Sequence, residues 1–189
     1  MGKAAARIRG SLRLVLGLAG LLAGLAGCGD NGGEAQTPYG PADAVRAYRL
    51  QTNALIDWVN SLEQEVQHRA VGASGQATAE NLAVVYAYAQ PLLQDALASF
   101  DRIMPPPALE SLHRNMRQVM ALRLGAYAAV LEGWALQQEQ GENTQSAALY
   151  QQAEQRLAQA NTLIAAVNQE LQAVDLALGE GEGRNPVVS

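Results

Sequence analysis

The chain has 189 residues, room for one domain with a proper core once any targeting segment is set aside. Ala, Leu and Gln dominate its middle and β-branched residues are sparse, a helical composition, and the single cysteine excludes an intrachain disulfide and every CxxC zinc, redox or haem-attachment signature. The formal charge is -5, but Lys3, Arg7, Arg9 and Arg13 all precede a hydrophobic run, so the remainder carries 9 basic against 18 acidic residues and no lysine, which argues against a nucleic-acid partner.

Residues 1–13, MGKAAARIRGSLR, form a basic n-region, and Leu14 to Gly27 form an uncharged apolar h-region of signal-peptide length, short of the roughly 20 residues a membrane span needs. No later run reads as apolar enough to span. The h-region ends in Leu25-Ala26-Gly27-Cys28, which resembles the lipobox of bacterial lipoproteins. The resemblance covers residues 1–28. It implies a diacylglyceryl thioether on Cys28, cleavage before it and a location on the extracytoplasmic side of the cell membrane or the outer membrane. Gly29 after the cysteine departs from the inner-membrane retention signal of enteric lipoproteins, which favours the outer membrane where there is one. Residues 29–41 hold turn formers without apolar periodicity and are expected to be a flexible tether.

Four helical patterns follow over residues 42–178. The first, about 42–70, carries a heptad seam of Val45, Tyr48, Thr52, Leu55, Val59, Leu62 and Val66, and stops at residues 71–76, VGASGQ. Thr78 is placed to cap the second, which presents Leu82, Val85, Ala89, Leu92, Ala96 and Phe100 and should kink at Pro91. Pro105, Pro106 and Pro107 force an extended link, and Pro107 can open a third helix reaching about Gln140 and closed by Gly141. Asn143 or Thr144 starts the fourth, with a heptad series from Tyr150 to Leu178. Residues 179–189 are expected to be a disordered tail, and no segment carries a strand signal. Short links between long amphipathic helices predict an all-α, antiparallel up-down-up-down four-helix bundle.

Two Glu-x-x-His motifs, Glu65–His68 and Glu110–His113, have the spacing of four-helix di-iron ligands. They fall about 30 Å apart in level at 1.5 Å per residue, so no metal or cofactor is expected. Arg123 projects into the apolar arc of the third helix, at the level of Tyr86, Asn161 and Trp58. That placement predicts either a polar layer, an arginine whose head snorkels to water, or an anion-binding cavity in the core. His113 and Asp175 come within about a turn in level, and contact between them would raise the histidine pKa. Tyr86, Tyr88, Trp58 and Trp134 are core aromatics or a ligand box. No nucleophile, phosphate loop or interior carboxylate pair accompanies these residues, so no enzyme is expected. The expected function is a lipid-anchored binding or scaffolding module with a protein partner in the cell envelope. The alternative is a sensor holding an anion or metal inside the bundle.

Overall fold

The computed structural model describes residues 35–71, 77–180 and 187. The predicted signal segment, the lipobox-like residues Leu25, Ala26 and Gly27, Cys28, the first part of the predicted tether and most of the predicted tail lie outside the described residues.

Four long helices account for nearly all of the described chain: α1 (Ala42–Val71), α2 (Ala79–Phe100), α3 (Glu110–Gln140) and α4 (Thr144–Ala177). Local chemistry sets their ends. The Thr78 hydroxyl accepts from the backbone N–H of Asn81 at 3.1 Å, satisfying one of the orphan donors at the start of α2. Gly141, at φ 75°, ends α3 in a conformation that a β-carbon would oppose. Two residues on, Asn143 opens α4 with a reciprocal capping box, its side chain accepting from Gln145 and Ser146 while the Ser146 hydroxyl accepts from the Asn143 backbone. The proline run feeds a single 3-10 turn, Pro107–Leu109, that leads into α3. Helix α2 runs without interruption through Pro91, which lies on its exposed side.

The helices form the expected all-α four-helix bundle. Helix α3 packs most extensively against α4 and then α2, and α1 lies against α2. The expected stripes largely face inward: Val45, Tyr48, Val59 and Val66 from α1, Val85, Ala89, Ala96 and Phe100 from α2, Leu112 and Met116 from α3, and Val167, Leu171 and Val174 from α4 are buried, whereas on α2 Leu93 takes the fully buried place and the expected Leu82 and Leu92 are half-buried. Burying such a Leu, Phe or Met contributes about 1.5–3 kcal/mol each relative to exposure. The helical stretch 107–140 contains an 18-residue window apolar enough to cross a membrane by length and composition alone, contrary to the expectation that no later run would be. Its apolar side is spent on the bundle core, since Leu109, Leu112, Val119 and Tyr127 are buried there.

Two expectations about the flanks need correction. The second half of the predicted tether contains a minimal antiparallel hairpin, β1 (Gln36–Thr37) and β2 (Gly40–Pro41), closed by the Thr37 hydroxyl on the Gly40 carbonyl at 2.9 Å. Tyr39 at its tip packs on the core, and the N–H of Ala42 donates to the Ala35 carbonyl, so the hairpin is docked to the start of α1. Within the predicted tail, Val187 is held by Asn168 of α4, whose amide donates to the Val187 carbonyl at 2.9 Å and accepts from its N–H at 2.8 Å. The remainder of that tail from residue 181 lies outside the described residues.

Candidate functional site

The interior of the bundle contains charges, and they come from α1 and its partners across the core. Along α1, Ala42, Arg49, Ile56, Glu63 and Ala70 recur every seven residues and are all buried, a second stripe beside the heptad seam. Two of its five members, Arg49 and Glu63, carry ionisable side chains. Each bridges α1 to a helix other than α2.

Glu63 meets Arg123 of α3. The guanidinium lies 3.0 Å from Oε1 of Glu63, and the two side chains are 3% and 8% exposed. The Tyr127 hydroxyl donates to the same carboxylate at 2.7 Å, and the Tyr86 ring stacks on Tyr127 with centroids 4.1 Å apart. Arg123 is therefore not snorkelling: its head is enclosed with a counter-ion. Burial pushes the Tyr86 phenol up to about 12, with the Glu63 carboxylate adding to the effect and Arg123 opposing it. The same causes, burial first, raise Tyr127 further, so both phenols stay protonated and Tyr127 acts as a donor.

The layer contains only part of the predicted set. Arg123 and Tyr86 belong to it, whereas Trp58 (40% exposed) and Asn161 lie on the bundle surface. Counting levels placed these two at a suitable height but does not settle which way each helix is turned. The aromatic box fails for the same reason: Tyr88 is 43% exposed, under the Arg69 guanidinium at 4.8 Å, while Tyr86 is interior and Trp134 half-buried. Glu63 escaped the sequence reading because it adjoins the seam instead of lying on it. Its seven-residue register with Arg49 and Ile56 was the available signal.

The second interior ion pair corrects the expected His113–Asp175 contact. Asp175 is taken by Arg49, whose Nε and Nη2 donate to its two carboxylate oxygens at 2.7 and 2.6 Å. A bidentate pair with a permanently charged guanidinium is stronger than one imidazole contact, so the arginine takes the carboxylate. His113 instead stacks on Phe100, centroids 4.2 Å apart, with its Nδ1 3.3 Å from the Tyr48 hydroxyl. Burial holds the Tyr48 phenol well above its ordinary range, so it stays protonated, and the direction of its hydrogen bond with His113 follows the histidine tautomer. The His113 pKa is lowered, not raised, by burial against the partly opposing charge of Asp101, with Arg117 lowering it further. Arg117 and Asp101 form their own exposed pair at 2.7 Å.

The Glu-x-x-His motifs are used separately. Glu65 pairs with Arg69 one turn on, His68 is exposed near the end of α1, and His113 occupies the opposite end of the bundle. Among the described residues, no group of three His, Cys, Asp or Glu side chains converges to hold a metal. A cavity of about 30 Å³ lies between α1, α3 and Val167 of α4, lined by apolar side chains such as Ile56, Val59, Met116 and Val187. Arg123 is not in its wall. Compared with protein-family models, curated proteins and solved structures, the chain has no significant match.

Proposed function

We propose that this protein is a membrane-anchored, extracytoplasmic helical module that binds or scaffolds a protein partner of the cell envelope through its surface, with no catalytic role. The observation that carries this reading is the Glu63–Arg123 pair. The interior cation that would receive an anionic ligand already has a buried counter-ion and a phenol completing the arrangement. The cavity of about 30 Å³ is far below the roughly 300 Å³ of a small-molecule site. With this interior cation already matched, recognition falls to the outer faces of the helices. The anchor rests on the order of basic n-region, apolar run and Leu25-Ala26-Gly27-Cys28, and two acyl chains are enough for stable attachment.

Palmitate labelling of wild type and Cys28→Ala tests the anchor: label is expected in wild type only, and label persisting in the variant refutes it. A melting-temperature screen of anionic metabolites on wild type and Arg123→Met tests the surface reading. No ligand-dependent shift is expected. A shift seen in wild type and absent from Arg123→Met would make the protein a ligand sensor.

A further inference from the structure

The two ends of the bundle differ in chemistry. One end gathers the start of α1, the α2–α3 turn and the end of α4, tied together by Arg49–Asp175 and Tyr48–His113. The other gathers the end of α1, the start of α2 and the α3–α4 turn at Gly141. This second end carries Glu65, Glu80, Glu132, Glu139, Glu142 and Glu154 against Arg69 and Arg156. The first is richer in arginine: Arg46 and Arg49 pair with Asp43, Glu180 and Asp175, Arg117 pairs with Asp101, and Asp95 and Glu170 also lie toward this end, while Arg102 and Arg114, flanking the α2–α3 turn with Glu110 nearby, are exposed and form no ion pair among the described residues. Helix side chains tilt toward the N-terminus, so Arg114, in the second turn of α3, leans toward this end.

The same end presents Met104, which is 86% exposed, the highest value among the exposed large hydrophobic side chains. It stands between half-buried Ile103 and the proline run 105–107, which holds the turn stiff and keeps the apolar side chain outward. This is also where the chain arrives from Cys28. Seven virtual bonds from Cys28 to Ala35 span at most about 25 Å, whereas α1, with 30 residues, is about 45 Å long. Under the anchoring reading above, on which this inference rests, the arginine-bearing end is the one within reach of the bilayer.

We propose that the α2–α3 turn is a second membrane contact, with Met104 seated at the headgroup–acyl boundary and Arg102 and Arg114 on phosphates of anionic phospholipid. The acidic Gly141 end then faces away from the membrane. An apolar tip flanked by cations is the composition that binds an anionic interface, and the acidic end would be repelled by it.

The test uses the purified mature chain in phosphatidylglycerol vesicles with brominated acyl chains, which quench tryptophan at short range. Met104→Trp and Gln138→Trp, both at exposed positions, report the two ends above the native signal of Trp58 and Trp134. The mass of the mature protein reads the acyl chains on Cys28 separately. Where it shows a free thiol, the anchoring reading has failed, and coupling Cys28 to a maleimide lipid keeps the chain on the vesicle so that the contact itself is still tested. The Met104→Trp reporter is expected to lose at least half its added emission and shift to the blue, the Gln138→Trp reporter to lose none. Adding Arg102→Ser and Arg114→Ser should restore most of the lost emission. Equal quenching at both positions, no quenching at position 104, or quenching indifferent to the two arginines would overturn the proposal.

Discussion

The interior pair of Glu63 and Arg123 allows a quantitative test, because its two members should behave differently alone and together. Removing one partner of a buried pair strands the other charge away from water and costs about 3–5 kcal/mol. With both side chains under 10% exposed, little solvent screening reduces that cost. Arg123→Met retains the stem volume and leaves Glu63 with the Tyr127 hydroxyl, while Glu63→Gln preserves an acceptor for Tyr127 and strands the guanidinium. At about 2–4 °C per kcal/mol for a chain of this size, each single substitution should lower Tm by about 6–20 °C. The double variant removes both charges and leaves one neutral amide in the layer. It should lie within about 2 kcal/mol of wild type, so the coupling exceeds about 2 kcal/mol instead of the near-zero value of independent sites. Urea denaturation of the four proteins, followed by circular dichroism, gives the cycle. A neutral or stabilising Arg123→Met, or additive single effects, would mean the arginine reaches water and the interior pair carries no weight.

Three further outcomes follow from local geometry. The folded His113 pKa lies below its unfolded value near 6.5, so the unfolded chain takes up a proton first. The contribution is fully present above pH 6.5 and is lost as pH falls through the folded pKa, and His113→Phe should flatten that part of a Tm-against-pH curve between pH 7 and 5. Gly133→Ala puts a β-carbon 2.9 Å from Cε1 of the Tyr150 ring and should destabilise by about 1–3 kcal/mol. At Gly125 the closest atom is Nη1 of Arg156 at 3.0 Å, which donates to the Gly125 carbonyl, so Gly125→Ala displaces that hydrogen bond but no ring and should cost about 0.5–1.5 kcal/mol, less than Gly133→Ala in parallel urea melts. Asn168→Ala removes both hydrogen bonds to Val187 and should cost about 1–2 kcal/mol and speed hydrogen exchange at the Val187 amide, whereas unchanged exchange would mean that contact is not populated in solution.

What was legible in the sequence is what local chemistry decides. Thr78, Gly141 and Asn143 stop and start helices through backbone geometry and nearby donors, so residue type and spacing were enough to find the ends of α2, α3 and α4. The apolar seams were legible because a period near 3.5 survives any rotation of the helix. What was lost required knowing how the helices are turned. Trp58 and Asn161 sit at the right height on the wrong face, and Glu63 sits one residue off a seam but inside the core. The hairpin at 36–41 and the docking of Val187 are products of tertiary contacts, through Tyr39 and Asn168, with no periodicity to announce them. The misses at Trp58 and Glu63 share one physical origin in α1. Its close backbone approach is to α2, and it reaches α3 and α4 through long polar side chains: Glu63 to Arg123 and Tyr127, Tyr48 to His113, and Arg49 to Asp175. Apolar ridges tolerate a slide of one helix past another, whereas a bidentate guanidinium–carboxylate pair does not. The charges that looked out of place in a helical bundle are thus the groups that hold α1 in register with the two helices it touches least.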